Sequence, residues 1–164
     1  MLVSGVLPWH HRQMNGFRSY MDLALEEARA AGLRGEVPVG AVVVAPDGRV
    51  IARAGNRTRA LRDPTAHAEI LAIRSACSAL GSERLGGCDL HVTLEPCPMC
   101  AAAIAAARIA RLYYGAADPK SGGVAQGPRI FAHPQCHHVP EIYDGIAEVA
   151  AARLLREFFA QRRE

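Results

Sequence analysis

Pro96-Cys97-Pro98-Met99-Cys100 places two thiols three residues apart, where a β-branched run gives way to an alanine-rich one. On a helical turn, positions i and i+3 share a face, so both sulfurs can reach one ion. A helix amino end also favours the thiolate that a metal requires. Alone, such a pair fits a redox couple, half of a structural zinc site, or chance, and a metal centre needs a third ligand from elsewhere. His67 is the candidate third donor. It lies thirty residues before Cys97 in Thr65-Ala66-His67-Ala68-Glu69, and a strand-helix-strand layout brings the starts of successive helices to one sheet edge. Three donors are one fewer than a structural zinc site uses, which points to a catalytic centre. Glu69 follows His67 by two residues, about 200° apart on an ideal helix. Both can face a metal only if His67 lies in the irregular first turn. On that condition, Glu69 can carry a proton between a water and a leaving amine without touching the ion.

The elements that must position these residues follow from periodicity. Met21, Ala24, Leu25, Ala28 and Ala31 have helical spacing, Ser19 with Asp22 can form a capping box, and Gly32 can end the helix. The runs 37–46 and 49–56 flank Asp47-Gly48, a hairpin signal, and the first run is apolar throughout, as a strand covered on both faces would be. A second helix is expected from Thr65, with Ala66, Ile70, Ile73, Cys77 and Leu80 inward and a stop at Gly81. Residues 90–94 and 111–115 read as strands, 101–107 as a helix able to lie close to a sheet, and 116–137 as a functional loop. A closing helix is expected over Ile142–Arg163, with Ala147, Ala150, Leu154 and Phe158 inward. Strands alternating with helices predict an α/β sandwich, and the hairpin makes its sheet mixed.

With 164 residues, the chain has the length of one domain. Residues 1–16 read as a flexible extension and 17–164 as the domain. Half the residues are hydrophobic and 21% charged, a globular composition. Neither 37–46 nor 101–107 approaches the roughly 20 apolar residues of a membrane span. The start of the chain lacks the basic lead-in of a secretory signal, so a cytoplasmic address is expected. Five cysteines form an odd set in a chain too large to need stapling, which favours metal binding over disulfides. Cys77 and Cys88 read as inert. His133, Cys136, His137 and His138 invite a second metal site, but their loop reads better as facing a ligand. Of the 19 basic residues, 18 are arginine, whose planar fork suits phosphate and stacked bases.

The His-x-Glu and Pro-Cys-x-x-Cys pairing resembles the zinc-dependent cytidine/deoxycytidylate deaminase superfamily. More closely, EVPVGAVVV, GNRTR, DPTAHAEI, VTLEPCPMC, RIARLYYGAADPKSGG, HPQCHH and FFAQRR resemble, in that order, the bacterial tRNA-specific adenosine deaminases from about Phe17 to Arg163. The resemblance implies a cytidine deaminase-like three-layer α/β/α sandwich with a central mixed sheet of roughly five strands. It implies a homodimer that converts adenosine to inosine at the wobble position of a tRNA anticodon. One Zn²⁺ per subunit would be held by His67, Cys97 and Cys100, with Glu69 as proton shuttle. Asn56 would bind the target nucleoside, and Asp118 and Lys120 would sit at the pocket mouth. Arg57, Arg59, Arg62, Arg162 and Arg163 would meet phosphates of the anticodon stem-loop, and Phe158 or Phe159 would offer a stacking face. Two other readings use the same residues: a guanine or cytosine deaminase of the superfamily, and a non-catalytic RNA-binding subunit with structural zinc. Glu69 argues against the second, since a structural site needs a fourth ligand rather than a free carboxylate.

Overall fold

The structure, a computed structural model, describes residues 20–163. The expected extension over 1–16 and the Ser19 half of the capping box lie outside them. The chain runs α1 (Tyr20–Leu33), β1 (Gly40–Val44), β2 (Val50–Gly55), α2 (Ala68–Leu80), β3 (Asp89–Leu94), α3 (Pro98–Ala106), β4 (Arg111–Ala116), a 3₁₀ turn (Ile130–Ala132), β5 (Glu141–Tyr143) and α4 (Glu148–Gln161). The strands form one mixed sheet in the order β2-β1-β3-β4-β5. Only β1 runs against the others: it is antiparallel to β2 and β3, while β3, β4 and β5 are parallel. The carboxyl ends of β2, β3 and β4 therefore share one edge, from which α2, α3 and the 117–129 loop depart.

The expected sandwich forms around β1, whose five residues are all buried. Ala41 and Val43 pack with Leu90, Val92, Leu112 and the inner faces of α2 and α3, whereas Val42 and Val44 pack with Met21, Ala24 and Leu25 of α1 and Ala151 of α4. Close layering depends on small residues. A Cβ at Gly40 would run into the backbone of α1 at Ala24 and Ala28. The hairpin turns at Gly48, whose φ of +90° suits glycine.

Two helices differ from expectation. α2 starts at Ala68 and buries Ala68, Glu69, Ala72 and Ala76, while Ile70, Ile73 and Cys77 are only partly buried and Leu80 is exposed. The alanines let the helix axis approach the sheet, and the larger side chains flank the contact. The expected closing helix divides: Glu141–Tyr143 is a fifth strand, paired with Arg111–Tyr113. Asp144-Gly145, with Gly145 at φ +72°, then breaks the chain. In α4, Ala151 and Phe158 are buried, Ala150 and Leu154 are partly buried, and Ala147 is an exposed cap.

Among the described residues, no helix is long and apolar enough to cross a membrane.

His91 of β3 is 8% exposed, stacked on Tyr113 at 4.5 Å between ring centroids. Burial pushes its imidazole down to about 4. The unfolded chain takes up that proton below about pH 6.5, while the folded one resists until about pH 4. Stability is thus lost as pH falls through that window, by about 3 kcal/mol. Melting curves of His91→Phe between pH 6.5 and 4.5 are expected to fall less steeply than wild type; parallel curves would contradict this.

Candidate metal centre and active site

α2 and α3 both begin at the shared sheet edge, and each start carries a donor. His67 is the N-cap of α2, with extended backbone at φ −71°, ψ 153°. Cys97 is the N-cap of α3 at φ −69°, ψ 170°, followed by Pro98, and Cys100 lies in the first turn. Because His67 precedes the helix proper, the geometric condition on Glu69 is met. The imidazole and the carboxyl approach the same sulfur from one helix start.

His67 Nδ1 lies 3.6 Å from Cys97 Sγ and 3.5 Å from Cys100 Sγ. A tetrahedral zinc with bonds of about 2.3 Å to sulfur and about 2.0 Å to nitrogen requires N···S separations of about 3.5 Å. The trio therefore fits zinc. Among the described residues, it is the one group of three or more such donors within 4.8 Å of one another. Cys100 is fully buried, while His67 and Cys97 are half-buried, so the centre faces solvent on one side.

The two thiols are coupled. The Cys100 thiol donates toward Cys97, with help from His67, and holds Cys97 down at about 4. Cys100 is pushed far up by the same pairing and by burial. The bond to Cys97 raises His67. Burial raises Glu69, which is 4% exposed, above the usual carboxylate range, opposed by backbone hydrogen bonding and by the Cys100 sulfur. A carboxyl raised in this way is suited to holding and passing on a proton.

Asn56 closes one side. Its Oδ1 accepts the Ala68 N–H at 2.8 Å, and its Nδ2 donates to Val37 O at 3.1 Å. His67 makes no side-chain cap bond, so Asn56 caps α2 from the residue that follows β2. Asp118 Oδ1 accepts the N–H groups of Lys120 and Ser121, which shapes the 117–129 loop and leaves Lys120 exposed. Three arginines gather at the neighbouring rim. Arg34 Nη2 donates to Asn56 O at 3.2 Å, and Arg59 Nη1 to Gly35 O at 3.3 Å. Arg162 lies over the Phe158 ring at 3.6 Å. A Cβ on Gly35 would stand 3.6 Å from Arg162 Nη2 and 4.0 Å from Arg59 Nη1. None of the three forms an ion pair among the described residues.

The His133–His138 group makes other bonds. His138 Nε2 meets Ile109 O, Cys136 Sγ donates to His138 O, and His133 Nδ1 accepts the Gln135 N–H. Cys77 and Cys88 are both raised by burial, in keeping with inert thiols.

A family model for the cytidine and deoxycytidylate deaminase zinc-binding region matches residues 14–116. The chain belongs to that family. This deaminase is 65% identical over 144 residues to the tRNA-specific adenosine deaminase of Agrobacterium fabrum, covering 88% of this chain and 94% of that one. A solved structure from work on A-to-I editing by tRNA:A34 deaminases at the wobble position superposes with a TM-score of 0.82 at 66% identity, covering 83% of this chain and 98% of that one. A guanine deaminase from Nitrosomonas europaea is more distant, at a TM-score of 0.71 and 26% identity over 98% of this chain and 97% of that one. The cofactor of this deaminase is zinc.

Sequence reasoning missed Arg34, which looks like an ordinary residue near a helix end, and two buried glutamates. Glu36 is 1% exposed and Glu95 2%. The available signal was their position: each acid sits directly against a β-rich apolar run, where water is scarce.

Proposed function

We propose that this chain is a tRNA adenosine deaminase that hydrolyses adenosine to inosine at the wobble position of an anticodon stem-loop, releasing ammonia. What carries the reading is the extent of the similarity. It runs along most of the chain at 65% identity to a protein of that name, against 26% for a guanine deaminase that matches over a similar length. The unit concerned is the single deaminase domain expected over residues 17–164, acting in the cytoplasm.

His67, Cys97 and Cys100 would hold the zinc. When bound, zinc would supply a Lewis acid that lets a water lose a proton near neutral pH and so become a nucleophile for the ring carbon bearing the amine. Glu69 would move both protons of the water: it takes the first from the attacking water and gives it to the ring nitrogen, then takes the second from the added hydroxyl as the carbonyl forms and gives it to the amine, which leaves as ammonia. Asn56, fixed against α2, would orient the nucleoside. Asp118 and Lys120 would border the pocket mouth. A stacked base cannot enter such a pocket, and a single-stranded loop splays one out at low cost. Arg34, Arg59 and Arg162, which form no ion pair among the described residues, suit the phosphates beside that nucleotide.

Each arginine–phosphate contact releases counterions, so binding should weaken steeply with salt. Arg162→Ala is expected to lower the slope of log affinity against log salt by about one unit while reducing affinity for all stem-loops alike. An unchanged slope would remove Arg162 from the interface.

The homodimer draws support from α3, where Met99, Ala102 and Ala106 leave an apolar outer face exposed; sedimentation of the purified protein tests it. The whole reading is tested by incubating zinc-loaded protein with a stem-loop carrying a wobble adenosine, and separately with guanine, cytosine and cytidine, while assaying ammonia and inosine. Product from the stem-loop alone is expected. Product from guanine or cytosine alone would move the chain to the free-base deaminases.

A further inference from the structure

We infer that Glu36 and Glu95 are positioning residues that fix the two walls of the substrate pocket relative to the metal donors; this rests on the site reading above. Both carboxylates are buried, and neither forms an ion pair among the described residues. Each instead accepts backbone N–H groups. Glu95 Oε1 accepts from Asp118 at 3.1 Å, and its Oε2 from Val124 at 3.1 Å, Ala125 at 3.0 Å and Gln126 at 3.1 Å. Glu36 Oε1 accepts from Arg59 at 3.0 Å and its Oε2 from Ala60 at 3.2 Å.

A carboxylate removed from water must have its lone pairs filled, and backbone donors fill them only when the loop holds one conformation. The sequence enforces that fit. A Cβ on Gly122 would stand 2.5 Å from Glu95 Oε2, and one on Gly123 would stand 2.5 Å from Pro98 N. Gly123 N–H also donates to Pro96 O at 2.8 Å, which presses the loop onto the start of α3 between Glu95 and Cys97. On the other wall, the connector held by Glu36 returns to the site through Arg57 N–H to Ala66 O at 3.0 Å, one residue before His67. One wall carries Asp118 and Lys120, the other Arg59. Both are thereby set by anions that never meet substrate.

Glu95→Gln and Glu36→Gln keep side-chain volume but turn one accepting oxygen into an NH₂ facing backbone N–H donors. For each variant, KM for the stem-loop is expected to rise about tenfold, with kcat within about threefold of wild type and zinc content unchanged. Val44→Ala, a cavity in the core against α1 beside the start of β3, at the opposite end of that strand from Glu95, serves as the control for general destabilisation and should leave KM alone. An unchanged KM in both glutamine variants, or an equal rise in Val44→Ala, overturns the inference. Hydrogen exchange of the wild-type holoenzyme without RNA tests the clamp even if a variant fails to fold. The amides of Arg59, Ala60, Asp118, Val124, Ala125 and Gln126 should be protected by about 10³ or more although they lie in loops. Unprotected amides overturn the inference whatever the substrate proves to be. A wild-type protein with protected amides and no turnover of the stem-loop would instead sink only the functional reading.

Discussion

Glu69→Gln is expected to lower kcat on the wobble adenosine by about 10²–10⁴-fold, the range a positioned proton-transfer group contributes, while each chain keeps its zinc. The amide matches the carboxyl in shape but cannot accept a proton from water or return one to the leaving amine. Stability should move the opposite way from activity. Glu69 is 4% exposed and burial already disfavours its charged form, so a neutral isostere should leave the melting temperature unchanged or raise it. Glu69→Ala should abolish turnover equally with the metal retained. Substantial activity in either variant would show that the proton moves by another route. Loss of zinc from both would make Glu69 a support of the metal site instead.

Removal of the metal is the second large effect. His67→Ala leaves two sulfurs, too few to retain the ion, and activity should drop at least about 10³-fold together with zinc content. Chelation of the wild type should do the same, and added zinc should restore it. The chain itself should stay folded without metal, unlike a zinc finger. The buried clusters are built from β1, β3, β4 and the helix faces, and the trio sits at their margin, where two donors are only half-buried. Collapse of the fold on chelation would contradict this division between core and site.

The centre was legible in the sequence because its chemistry is carried by residue types that few other roles require together. Cys97, Cys100 and His67 together call for a metal, and Glu69, buried beside them, is the group proposed for proton transfer. Even the awkward two-residue spacing resolved as a condition, met by the extended backbone of His67 at φ −71°, ψ 153°. The sandwich and the mixed sheet were legible from alternation and from Asp47-Gly48. Less visible was whatever depends on tertiary contact. Glu141–Tyr143 is three residues long and becomes a strand only because β4 offers it an edge, so helical spacing downstream absorbed it. The inward face of α2 turned toward Ala72 and Ala76 because closeness to the sheet outweighed side-chain size. Glu36 and Glu95 look like solvated acids until the loops that satisfy them are in place. Asn56 read as a nucleoside contact, and its role as the cap of α2 emerges only when the end of β2 meets the start of α2.

X-ray absorption at the zinc edge of the purified holoenzyme tests the central claim most directly. The expected spectrum has two sulfur scatterers at about 2.3 Å and two lighter ones at about 2.0 Å, of which one is imidazole and the other exchanges when an inhibitor enters the site. Absence of zinc, or a shell of four protein ligands with none exchangeable, would contradict it.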